Sequence, residues 1–193
     1  MIEIRPNETK DIVLSIKTVV IDPAEKDVSD EMLLSMLKRI VEGENVSDRE
    51  ITELLGEDTK SEIELSTEAK MSMNNKGGIE ISYMENEDDP TVTTRSRILF
   101  NTRDPGLVAM TKDGAMKAFL SFEEKKTHIC TYDTPFMPIK VYVTASRVDN
   151  RLLSHGRLKL NYELNLNDTP SQHFIVDVKI KESEPDVLGE ILG

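Results

Sequence analysis

Between residues 61 and 182 apolar and polar side chains alternate in short runs, and nearly every run stops at a turn sequence. A period of two is the signature of a strand with one dry face. Ile63, Leu65, Thr67, Ala69, Met71 and Met73 share one parity, and Asn74 to Gly78 forms a hairpin loop from residues that accept positive φ. Ile79, Ile81 and Tyr83 return; Val92, Thr94, Ser96, Ile98 and Phe100 follow, with Asp104-Pro105-Gly106 as a turn. Leu107 to Thr111, Ala115 to Phe122 and Thr127 to Tyr132 are three further strands, separated by turns at Lys112-Asp113-Gly114 and Glu123 to Lys126. Pro135 and Pro138 stiffen a loop around Phe136-Met137. Ile139, Val141, Val143 and Ala145 alternate up to a turn at Asp149-Asn150, Leu158 to Leu166 alternate up to Asn167 to Pro170, and Phe174, Val176, Val178 and Ile180 complete the set. With Ile12, Leu14, Ile16 and Val20 near the start, this makes about ten strands. Connections this short force antiparallel neighbours. Closure of such a meander removes exposed edges, so the expected fold is mainly β, an antiparallel up-and-down barrel of about 8–10 strands. A two-sheet sandwich needs longer crossing connections.

One stretch breaks the pattern. Leu33, Met36, Leu37, Ile40 and Val41 recur at helical spacing between Ser29 and Gly43. Ser47-Asp48-Arg49-Glu50 is a capping box opening a second stripe of Ile51, Leu54 and Leu55. The expectation is a two-helix insertion at about 23–58, after the first strand, in a single domain spanning 1–193. Residues 183–193 are expected as a loose tail. Met71, Met73 and Met110 sit at core periods, as do Met32, Met36 and Met116.

The net charge is −12, with no basic stripe, which disfavours nucleic acid. Residues 22–62 hold 13 acids against 5 bases, and residues 90–182 hold 14 bases against 10 acids. The longest apolar run is four residues, Leu107 to Met110, against about 20 for a membrane helix. The opening MIEIRPNETK lacks a secretory pattern, and a single cysteine, Cys130, cannot form an internal disulfide. The expected setting is cytoplasmic, without membrane or cofactor.

Four segments resemble a known family. They are Ile63-Glu64-Leu65-Ser66-Thr67-Glu68, Ile81-Ser82-Tyr83-Met84-Glu85, Phe119-Leu120-Ser121-Phe122-Glu123-Glu124, and His128-Ile129-Cys130-Thr131-Tyr132-Asp133-Thr134-Pro135-Phe136-Met137-Pro138. Together they resemble the YwiB-like family of bacterial proteins of unknown function, over about residues 10–21 and 60–182. The resemblance implies a lipocalin-like (calycin) barrel and a bacterial cytoplasmic setting, and no reaction. Residues 23–58 fall outside it.

His128, Cys130 and Tyr132 alternate, so they share one strand face, and a polar row of this kind would line a barrel cavity. The plainer alternative makes Cys130 a small buried hydrophobe and His128 a core group. Two ligands of the His-x-Cys type fall short of the three or four that zinc requires, so no metal site is expected. Cys130 and His128 stand about 7 Å apart along the strand, too far for a nucleophile and its base. Arg95 and Arg97 share the other face of their strand. Turned inward they would clamp a carboxylate or phosphate; turned outward they are solvated. Lys117, Lys140 and Tyr142 carry the same ambiguity. The acidic loop 85–89 lacks the glycine and spacing of a calcium loop.

The leading expectation is therefore a module binding a small anionic or amphipathic ligand through Arg95, Arg97, His128, Cys130, Tyr132 and Tyr142. The alternatives are a filled barrel whose acidic insert binds a protein partner, and an enzyme using His128 as acid or base. A non-enzymatic role is preferred.

Overall fold

The computed structural model describes residues 1–23, 35, 38, 39, 59–85, 93–114, 116–134, 136–166 and 171–183. Ten strands run in chain order: β1 Thr9–Asp22, β2 Thr59–Met73, β3 Gly78–Glu85, β4 Thr94–Asn101, β5 Asp104–Asp113, β6 Lys117–Glu123, β7 Thr127–Asp133, β8 Pro138–Arg151, β9 Arg157–Asn165 and β10 Gln172–Glu182. Each pairs antiparallel with its sequence neighbour, and β1 pairs with β10, so the sheet closes on itself. The closing seam is long, from Ile12 opposite Glu182 to Ile21 opposite His173. The expected barrel is thus the observed one.

The residues that alternate in sequence point inward as expected. Ile12, Leu14, Met71, Ile79, Ile81, Ile98, Val108, Phe122, Val141, Leu158 and Leu160 are all at most 1–2% exposed. At roughly 25 cal/mol per Å² of apolar surface, burying each such side chain is worth about 1.5–3 kcal/mol relative to leaving it in water. One end of the cylinder is plugged. Ile2 enters the core and its N–H donates to the Leu153 carbonyl at 2.8 Å. The same end is crossed by α1, Leu152–His155, whose Leu152 is fully buried. Gly156 ends α1 with φ +66°, its N–H donating to Leu152 O at 2.9 Å and its carbonyl accepting the Ile180 N–H at 2.8 Å.

Two expected turns are strand instead. Asp104-Pro105-Gly106 belongs to β5, because the reversal occurs earlier, where the Asn101 side chain accepts the Arg103 N–H at 2.9 Å. Asp149-Asn150 belongs to β8. An irregularity between Ala145 and Arg147 shifts the register and lets β8 continue, Arg147 and Arg151 bracket Asp149, and the chain turns in α1. The expected pair of helices at 23–58 lies outside the described residues, except for Ser35, Lys38 and Arg39, and the described residues hold α1 as their one continuous helix. The expected tail also lies outside them, Ser183 excepted. Among the described residues no helix is long and apolar enough to cross a membrane.

Candidate functional site

The plugged half of the barrel is filled, whereas the half toward the ends of β1, β3, β5, β7 and β9 is hollow. A cavity of about 370 Å³ opens there, within the lower range of small-ligand sites. Its lining comes mostly from inward positions: Ile16, Thr18 and Val20 of β1, Ile63 and Leu65 of β2, Tyr83 and Glu85 of β3, Met110 and Lys112 of β5, Ala118 and Leu120 of β6, Tyr132 of β7, Tyr162 of β9, and Phe174 and Val176 of β10, with the outward Glu64 of β2 at the edge. Packing accounts for the hollow. On β6 the small Ala118 occupies the level nearest the mouth, and Leu120 and then Phe122 fill the levels below.

Aromatic rings build one wall. Tyr162 stacks on Phe174 with centroids 4.9 Å apart and planes 5° apart, and it tilts against Phe122 at 4.7 Å and 53°. Such pairs add about 0.5–1.5 kcal/mol beyond burial. At the rim, Glu85 accepts hydrogen bonds from Ser96 Oγ at 2.8 Å and from Lys112 Nζ at 2.9 Å. Ser96 is the buried polar residue among the described residues, and this bond satisfies it. Burial, with the Glu85 carboxylate nearby, pushes the Tyr83 phenol well above its ordinary value against a smaller opposing pull from Ser96. Burial likewise raises Tyr132 and Tyr162. All three phenols therefore keep their protons at neutral pH.

The residues singled out in the sequence divide by strand parity. His128, Cys130 and Tyr132 do face inward on β7, yet Tyr132 alone of the three lines the cavity. Cys130 is buried where the β6–β7 ladder ends after Phe119–Thr131, and its Sγ accepts the Ser121 N–H at 3.4 Å. His128 lies four residues from Tyr132, about 13 Å farther from the mouth. Its Nε2 is buried without a hydrogen-bond partner, 3.8 Å from Glu123 Oε2.

Arg95 and Arg97 stand on the outer wall, because Ser96, Ile98 and Phe100 take the inward parity of β4. They border an outer groove that also holds Lys70, Glu68, Glu80 and Asp11, a mixed-sign surface, so of the two orientations the sequence leaves open the outward one is found. Tyr142, Lys140 and Lys117 are outward and exposed as well. Among the described residues no three of His, Cys, Asp and Glu are grouped to hold a metal ion. Sequence reasoning passed over Tyr83, Tyr162, Phe174 and the Glu85–Lys112 pair. The available signal was an aromatic with a polar tip at the inward parity of an otherwise aliphatic strand.

Comparison with known proteins agrees with this architecture. Residues 50–178 match the family described as Domain of unknown function (DUF1934). No protein of curated function matches. The crystal structure of the ywiB protein from Bacillus subtilis superposes with a TM-score of 0.61 at 15% identity, covering 91% of this chain and 94% of that one. At that identity the likeness speaks for the fold. Since the family match takes in most of the barrel, the chain belongs to the DUF1934 family, and its closed β-barrel is similar to that of ywiB.

Proposed function

We propose that this protein is a cytoplasmic, lipocalin-like binding module that holds one small amphipathic molecule in the mouth of its barrel. The observation carrying this reading is the contrast within a single interior: one half packed solid, the other an apolar cavity of about 370 Å³ with three tyrosines and a phenylalanine on its wall. A barrel of this size takes either packed side chains or one small ligand. A cytoplasmic setting is in keeping with a single, buried cysteine. An anionic ligand loses its support, because Arg95 and Arg97 face outward and Lys112 is engaged by Glu85. The enzyme reading is weakened by the position of His128 below the cavity, and the acidic insert offered to a protein partner lies outside the described residues.

The test is fluorescence titration with 1-aminoanthracene, a neutral apolar probe. Binding at micromolar concentration is expected. Ala118→Leu, which puts extra methyl groups into the cavity, is expected to weaken binding about tenfold or more while the unfolding midpoint changes little. Absence of binding, or binding indifferent to Ala118→Leu, would refute the reading.

A further inference from the structure

The polar groups around the cavity are not equally free, and the difference defines a class of ligand. Glu85, Lys112 and Ser96 are joined to one another at the rim. Tyr132 and Tyr162 also line the cavity, and neither phenol oxygen has a hydrogen-bond partner among the described residues. Tyr162 is 94% buried by its 6% exposure, yet its hydroxyl is not sealed: the buried side-chain oxygen or nitrogen left without a partner is His128 Nε2, not a phenol.

Two neutral O–H groups without partners thus belong to residues on the wall of a largely apolar cavity. Burial holds both in the protonated, donating form, and the neighbouring Tyr132 adds to the effect at Tyr162. A ligand carboxylate placed against them would lose its water without gaining a free cation, since Lys112 is held by Glu85. A ligand ammonium would find the lining carboxylates already engaged, Glu85 by Lys112 and Glu64 by Lys17, and a pure hydrocarbon would leave both donors without partners.

We propose that the cavity selects a neutral small molecule with a flat apolar body and one hydrogen-bond acceptor oxygen of the carbonyl type, received by the hydroxyls of Tyr132 and Tyr162. The flat body lies along the wall made by Phe174 and the Tyr162 ring. This rests on the ligand-binding reading above and narrows it.

The experiment compares three probes of one shape on the full chain by calorimetric titration: 2-acetylnaphthalene, 2-ethylnaphthalene and 2-naphthoate. The ketone is expected to bind about five- to tenfold tighter than the hydrocarbon, the gain of a net hydrogen bond, with the carboxylate weakest. Tyr132→Phe and Tyr162→Phe, which remove one oxygen each, should cancel much of the ketone's advantage and change hydrocarbon affinity less than about twofold. The wild-type series decides the question even if a variant folds poorly. Equal affinity for ketone and hydrocarbon, or tightest binding of naphthoate, overturns the acceptor-oxygen proposal while leaving the cavity as a binding site. Binding of none of the three overturns both.

Discussion

Cys130 and Ile129 are chain neighbours, yet one is 3% and the other 67% exposed. Parity alone separates a thiol that accepts the Ser121 N–H from an isoleucine facing water on the barrel wall. Burial raises the Cys130 thiol above its ordinary value, with the Ser121 N–H pulling weakly the other way, and the thiolate is the reactive form. Iodoacetamide at neutral pH is therefore expected to leave Cys130 unmodified in the folded protein and to label it quickly in urea, as read by intact mass. Rapid labelling of the folded form would mean that the β6–β7 seam opens. The same parity puts Arg95 and Arg97 outside and Tyr83 inside.

At the scale of elements, the plugged end depends on α1 and its glycine. A Cβ on Gly156 would stand 2.6 Å from the Ile180 carbonyl oxygen, and its φ of +66° is strained for any other residue. Gly156→Ala is expected to cost about 1–3 kcal/mol in urea unfolding; a loss below about 0.5 kcal/mol would show that α1 does not dock as described.

The β9–β10 ladder carries a pH signature. Arg157 donates from Nε and Nη2 to the two carboxylate oxygens of Asp177 and holds its carboxyl below the ordinary range. A depressed carboxyl stabilises the fold above its unfolded-state value, about pH 4, and that contribution disappears as pH falls through the lower folded-state value. Urea midpoints of wild type and Asp177→Asn should accordingly differ near neutral pH and converge as pH falls through the folded-state value. A gap that stays constant would contradict the pairing.

Strand identity and facing were legible because the alternation in Leu158 to Leu166 or Ile63 to Met73 admits one dry face. The break between β7 and β8 was legible too, and Thr134 Oγ1 spans it by donating to Met137 O at 2.8 Å and accepting the Met137 N–H at 3.1 Å. Less legible were features created by tertiary register. The irregularity at Ala145/Arg147 carries β8 through Asp149-Asn150. Ile2 gains its core place only when the far end of β8 turns over it. The inward side of β4 was open in the sequence because both of its faces are partly polar, and Ser96 became an inward residue through Glu85, eleven positions away.

On the scale of the whole molecule, β1 zips to β10 and leaves no free edge among the described strands, so the interior has two ends and nothing else. One end is stopped by Ile2 and Leu152, and the other holds the space bounded by Tyr83, Tyr132, Tyr162 and Phe174. Filled and hollow halves make a spatial statement that methyl-resolved NMR reads directly. With 1-aminoanthracene added to the full chain, resonances of Ile16, Leu65, Leu120 and Val176 at the cavity should shift, while Ile12 and Leu152 in the packed half stay in place. Shifts confined to outward residues such as Leu107 and Ile129, or no shifts at all, would contradict the account.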